Sequence, residues 1–277
     1  MDYTLNVHGQ LLDLSRPLVM GILNATPDSF YADSRQQTEG DIALCSAKIL
    51  AEGAAIIDVG GCSTRPGGEV ATEAEEMQRL RMALEIIRRE HPEAVVSVDT
   101  FRPDVARMTV EEFGADIIND VSGGTPEMFR MVTRLRVPYI LMSLQPTMRE
   151  MLLSFAEKVQ QLRDMGANDT ILDPGFGFGK TLEQNYEIMN ELEKLQVMEL
   201  PLLVGVSRKS MIYRAFDCTP KEALNGTTAL NTIALMKGAS ILRVHDVKEA
   251  VECVSIVQKL NCKFLNCKLP RCSSSLE

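Results

Sequence analysis

The 277-residue chain has no run approaching the roughly 20 apolar residues that a membrane-spanning helix needs. It also has no excess of positive charge. Lys and Arg number 29 against 38 Asp and Glu, a net charge of −9. Such a chain is not built to coat nucleic acid or an anionic membrane surface, so any anion it binds must meet a local cluster of cations. The opening MDYTLNVHGQLLDL carries an early acid and no basic segment before an apolar stretch, so a secretion signal is not expected and a cytoplasmic location is. The seven cysteines are odd in number, and free thiols are expected. Cys262, Cys267 and Cys272 do not have zinc-site spacing, and a loose tail over 262–277 is the plainer reading. Long linkers and low-complexity segments are missing too, so a single domain over 1–261 is expected.

What the chain does have is alternation. Hydrophobic residues make up 45%, enough for a large core. Short β-branched runs alternate with segments of helical period. PLVMGILN, AIIDVG, AVVSVDT, DIIND, PYILMS, TILDP, PLLVGVS and SILRVHD read as eight strands, each followed by a helix. In TEAEEMQRLRMALEIIRRE, Met77, Leu80, Leu84 and Ile87 form one apolar stripe. Thr72 with Glu75, and Thr181 with Gln184, match the capping box that starts a helix. Eight βα repeats in this length predict an α/β protein, a (β/α)8 TIM barrel, with an open doubly wound sheet as the alternative.

The predicted strands turn polar at their C-terminal ends: Asn24, Asp58, Asp99, Asn119, Asp120, Ser143, Asp173, Ser207 and Arg243. In barrels that end carries the active site, although Asp58 and Asp120 could simply hold neighbouring loops. Lys209 and Arg243 follow the seventh and eighth strands, where barrels often bind phosphate. His245, two residues beyond Arg243, should point to the same side. With Ser207 and Ser210 they form a cationic, donor-rich cluster suited to a diphosphate. Asp99, Asn119 and Asp173 offer a set of acceptors and a donor suited to a flat heterocycle with several N–H groups. A metal cage is disfavoured for this trio, whereas one Mg2+ shared between Asn24 and a diphosphate is compatible with the residues. In FGFGK, after DPG, Phe176 and Phe178 are either buried anchors or a wall for an aromatic ring.

VMGILNATPDSF, DVGGCSTRPG, SVDT, IINDVSGG, LDPGFGFGK, VGVSRKS and RVHDV, in this order over nearly the whole chain, resemble the dihydropteroate synthase family, the folate-pathway target of sulfonamides. The resemblance implies a homodimeric barrel and a Mg2+-assisted transferase. It implies condensation of (7,8-dihydropterin-6-yl)methyl diphosphate with 4-aminobenzoate, giving 7,8-dihydropteroate and diphosphate. Carried over by motif, Asn24 contacts the metal and diphosphate. Asp99, Asn119 and Asp173 hold the pterin, with Met142 and Gly205 lining its pocket. Lys209, Arg243 and His245 bind pterin or diphosphate oxygens. Thr64, Arg65 and Pro66 come from a loop that closes over the site, and Phe178 and Ser210 help to bind aminobenzoate. LMSLQPTM departs from the family pattern, with Ser143 where a histidine is common, and Cys62 stands where a polar residue often precedes STRPG. A non-catalytic pterin-binding paralogue, a pterin-dependent methyltransferase barrel and a Schiff-base aldolase using Lys209 are the rival readings.

Overall fold

The computed structural model describes residues 3–25, 35–62 and 70–261. An antiparallel hairpin comes first, β1 (Thr4–Val7) and β2 (Gln10–Asp13). Its two-residue turn, His8 and Gly9, has both φ angles positive, at 49° and 83°, as tight hairpin turns require. The barrel strands follow: β3 (Leu18–Asn24), β4 (Ile56–Gly60), β5 (Val95–Asp99), β6 (Ile117–Asp120), β7 (Tyr139–Met142), β8 (Thr170–Asp173), β9 (Leu203–Val204) and β10 (Ile241–Val244). All are parallel to their neighbours in the order β8-β7-β6-β5-β4-β3-β10-β9. A parallel bridge between Leu172 and Leu202 brings β8 against the approach to β9 and closes the ring. Helices α1 (Arg35–Ala51), α2 (Glu73–Glu90), α3 (Pro103–Phe113), α4 (Pro126–Leu135), α5 (Met148–Asp164), α6 (Leu182–Asn190), α7 (Ser210–Tyr213), α8 (Leu224–Met236) and α9 (Val247–Asn261) follow the barrel strands, one after each except β9, which is followed by both α7 and α8. This is the expected (β/α)8 barrel.

Local chemistry places the helices where expected. The Thr72–Glu75 and Thr181–Gln184 capping boxes both form, each threonine side chain accepting from the N3 amide while the N3 side chain accepts from the cap amide. Leu80, Leu84 and Ile87 of α2 are fully buried, and Met77 packs at the edge of the same core. The seventh expected strand is shorter than its sequence suggests: only Leu203–Val204 pair, and the chain leaves the sheet at Gly205. The hairpin was not foreseen. Its Leu5 and Leu12, with the following Leu14, pack into the barrel's N-terminal end, against Met20, Ile56, Ile117, Ile140, Ile171, Leu203 and Ile241.

That apolar layer sets the position of everything above it. Strand side chains alternate faces with a period of two. Val19, Leu23, Ile57, Val59, Val96, Val98, Ile118 and Leu141 point outward into the helix-facing core. Met20, Ile56, Val95, Ile117, Ile140, Ile171, Leu203 and Ile241 therefore fill the lumen. Two residues further along each strand, the same inward face carries Ile22, Asp58, Ser97, Asn119, Met142, Asp173, Gly205 and Arg243. The floor of the barrel is oil; the next storey is polar.

Candidate active site

Arg243 lies at the centre of the polar storey. Its Nε donates to Asp58 Oδ2 at 2.6 Å and an Nη donates to Asp99 Oδ2 at 2.7 Å. Asp58 is fully buried and also accepts from Asn119 Nδ2, at 3.2 and 3.4 Å. That contact fixes the amide of Asn119. With Nδ2 held by a carboxylate, Oδ1 is the atom left facing the lumen, buried and without a partner. Ser97 Oγ, in the same storey, is likewise buried and unpartnered. A buried polar atom left unmet costs about 1–3 kcal/mol. Two of them in one lumen mark a place shaped for something polar to enter.

The charges perturb one another. Burial drives the Asp99 carboxyl up to about 7, partly offset by Arg243, with Asp58, Glu76 and Asp120 adding further upward push. Burial also raises Asp173, against the pull of Lys209 and the amide of Gly175. Burial lowers Lys209 to about 8, against the opposing effect of Asp173. Arg243 is desolvated, yet Asp58 and Asp99 more than compensate and hold it charged. Four perturbed groups facing one lumen are a common signature of a functional site.

Lys209 reaches the mouth from the turn after β9. Its Nζ donates to the Phe176 carbonyl and lies 4.8 Å from the centroid of the Phe178 ring. The two phenylalanines divide the roles left open: Phe176 is a buried anchor, while Phe178 is half-buried beside the lysine. Arg208 is not part of the mouth. It takes a left-handed φ of 54° and pairs with Asp246 at 2.9 and 2.7 Å, pinning the turn that presents Lys209. His245 is exposed at the rim, its Nδ1 3.0 Å from Ser207 Oγ. Ser210 is half-buried and opens α7 next to Lys209. Asn24 ends β3 on the inward face, with Gly60 between it and Asp99. A Cβ on Gly60 would stand 3.6 Å from Asn24 Oδ1 and 3.7 Å from Asp99 Cβ.

The structure thus brings together Asn24, Asp99, Asn119, Met142, Asp173, Gly205, Lys209 and Arg243 at one end of one lumen, with His245 and Ser210 at its rim. Thr64, Arg65 and Pro66 lie outside the described residues, as does the 262–277 tail. Asp120 points the other way: it accepts from the Tyr139 hydroxyl at 2.7 Å and from the Ser122 amide at 2.7 Å, on the helix-facing side. Ser143 is buried and its hydroxyl accepts from the Gln145 amide. Asp58 was left open as a loop-holding residue, yet it carries the site. The signal was present, since Asp58 falls two residues after Ile56, in step with every other inward residue.

The profile described as "Pterin binding enzyme" matches residues 20–245. The dihydropteroate synthase of Escherichia coli (strain K12) is 40% identical over 266 residues, covering 90% of this chain and 94% of its own length. The chain belongs to the dihydropteroate synthase family. Solved structures of the family superimpose closely. A Yersinia pestis dihydropteroate synthase in complex with a sulfonamide drug has a TM-score of 0.85 at 37% identity, covering 94% of this chain and 99% of its own. A Xanthomonas albilineans dihydropteroate synthase with 4-aminobenzoic acid has a TM-score of 0.87 at 33% identity, covering 95% and 99%. Dihydropteroate synthases are transferases of folate synthesis that move an alkyl group other than methyl, and this chain is an enzyme of that kind. Among the described residues no helix is long and apolar enough to cross a membrane.

Proposed function

We propose that the lumen binds a dihydropterin ring edge-on and that the enzyme condenses (7,8-dihydropterin-6-yl)methyl diphosphate with 4-aminobenzoate. One observation carries this reading. The unpartnered Asn119 Oδ1 lies on β6, next to the β5 of Asp99 and two strands from the β8 of Asp173, all facing one closed lumen, so the pocket offers acceptors to a heterocycle rich in N–H groups. Met142, fully buried, and Gly205, which has no side chain, face the same lumen. The diphosphate then projects toward the mouth, where Lys209, His245 and Ser210 stand, with Arg243 behind them.

In the reaction the exocyclic C–O bond breaks and its electron pair leaves on the diphosphate. The aminobenzoate nitrogen forms the new C–N bond and loses a proton. An electron-rich dihydropterin stabilises a cationic methylene carbon, so bond breaking runs ahead of attack. Lys209 supplies countercharge to the departing oxygens, released from the Phe176 carbonyl that it occupies beforehand. No strong base is needed for a neutral arylamine. Phe178 and Ser210 flank the aminobenzoate, and Thr64, Arg65 and Pro66, outside the described residues, are the further residues the family motif assigns to it.

A magnesium ion fits this arrangement only as one shared with substrate. Among the described residues no three His, Cys, Asp or Glu side chains converge to hold a metal. Asn24 offers a single amide oxygen at the mouth, and Mg2+ commonly keeps its waters and takes few protein ligands beside phosphate oxygens. When bound, it would add positive charge beside the diphosphate.

The reading includes a homodimer and a cytoplasmic location. In support of the homodimer, α8 and α9 pack side by side and expose Met236, Ile256 and Leu260 at 67%, 57% and 66%. A second copy seated on these two helices would cover such groups. The test of function is direct: incubation with both substrates should yield dihydropteroate and diphosphate in equal amounts. Pterin binding without product would favour the non-catalytic paralogue, and a borohydride-trapped adduct on Lys209 would favour the aldolase.

A further inference from the structure

The loop after β8 is held by two lysines from different sides. It contains Gly175, Gly177 and Gly179, all with positive φ, at 66°, 81° and 64°. A backbone that turns this way at alternate residues has no regular ladder to hold it, and its carbonyls must find other donors. Lys209 takes one of them, Phe176 O. Lys180 takes two more and ties them to the end of β7. Its Nζ donates to Ser143 O at 2.9 Å, to Gly175 O at 3.0 Å and to Phe178 O at 3.4 Å. An ammonium has three N–H groups and no acceptor, so three carbonyls match it. The Ser143 contact uses the backbone, so this tie survives whatever side chain stands at position 143.

The two lysines have different futures in the reaction. Lys209 must leave Phe176 O to meet a diphosphate. A Cβ on Gly177 would lie 3.1 Å from Lys209 Cδ, so the loop touches the length of that side chain. If Lys209 were the loop's only cationic tie, its departure would loosen the segment that carries Phe178. Lys180 has no such move to make: its ammonium is committed to the end of β7 and the loop itself, and the Asp173 carboxylate favours its charged form there. Asn185 adds a second, neutral tie, accepting from the Gly177 amide at 2.7 Å and donating to Thr181 O at 2.6 Å.

We propose that Lys180 is a positioning residue for the arylamine substrate, keeping Phe178 in place while Lys209 moves to the leaving group. The inference rests on the functional reading above. It predicts a split between the two substrates, because the pterin lies on the inward faces of the strands and the arylamine lies against the loop.

The test compares full-length wild type, Lys180→Met, Lys180→Gln and Lys180→Arg. Steady-state rates are measured with both substrates, and calorimetry follows binding of pterin-6-carboxylate as a probe. Lys180→Met should raise KM for 4-aminobenzoate at least tenfold and change the probe's Kd less than threefold. Lys180→Arg should restore most of the KM. Lys180→Gln, which keeps two N–H donors, should fall between and covers the case in which the methionine variant does not fold. Unchanged KM in both Met and Gln variants overturns the proposal. So does a matched loss of probe binding and arylamine use with a lowered melting temperature, since that is the mark of a merely structural lysine. If wild type itself makes no dihydropteroate, the functional reading fails and this inference falls with it, an outcome distinct from an active wild type with unchanged variants.

Discussion

Replacing Arg243 with methionine tests the polar storey at its centre. Methionine keeps much of the stem's volume and removes the guanidinium. The change strands Asp58, which is fully buried, and Asp99, which is 13% exposed, without their shared cation. Removing one partner of a buried ion pair costs about 3–5 kcal/mol, because the other charge stays desolvated. In a domain of this size each kcal/mol moves Tm by about 2–4 °C, so Arg243→Met should lower it on the order of 10 °C at pH 8. Circular dichroism is the suitable probe, as the chain has no tryptophan. The loss should shrink at pH 5.5. There Asp99, whose carboxyl already sits at about 7 with Arg243 present, takes a proton and stops demanding a cation. Each pKa unit is worth about 1.4 kcal/mol, so roughly a third to half of the deficit should return. Adding Asp58→Asn to Arg243→Met should recover further stability at pH 8, because it removes one stranded charge. A Tm loss under 3 °C, or an equal loss at both pH values, would falsify the claim that these three groups form one compensated buried unit.

Other outcomes follow from the same geometry. Lys209→Ala should lower turnover at least a hundredfold while the circular dichroism spectrum is unchanged, and near wild-type product formation would remove the lysine from its role. Pterin binding should release a proton near pH 6.5, because N–H donors favour the ionised form of Asp99. Calorimetry in buffers of different ionisation heat reads this directly, and the release should vanish at pH 8.5. The sign for stability runs the same way: a carboxyl raised to about 7 holds its proton in the folded state, so this group's contribution declines as pH climbs from about 4 to 7. For the proposed homodimer, wild type should sediment as a dimer and Met236→Glu combined with Ile256→Glu as a monomer; a monomeric wild type, or a variant of unchanged mass, would contradict a dimer through α8 and α9.

The barrel was legible in the sequence because each strand is a short apolar run followed by a helical period, and both capping boxes formed as read. The N-terminal hairpin was not. TLNV and QLLD are too short to show a clear period, and their place as a plug is decided by the open end of a barrel that no local pattern reveals. Most candidate site residues were found because they break the apolar pattern at strand ends. Asp58 was listed among those ends but not given a role, since a carboxylate aimed at an arginine 185 residues away leaves no local trace. Asp120 shows the converse. It ends β6 as Asp58 falls in β4, but the one-residue offset turns it to the helix-facing side. Lys180 was hidden by its setting, because a lysine closing a glycine-rich loop looks like a solvated charge until its three carbonyl partners are seen.

The central claim is that the heterocycle sits in the lumen against Asn119 and the diphosphate at the mouth against Lys209. A crystal structure with (7,8-dihydropterin-6-yl)methyl diphosphate tests it most directly. The account predicts the ring edge within hydrogen-bond distance of Asn119 Oδ1, Asp99 and Asp173, and Lys209 Nζ moved from Phe176 O to a diphosphate oxygen. A ring bound outside the strand ends, with Asn119 Oδ1 still unmet and Lys209 still on Phe176 O, would contradict it.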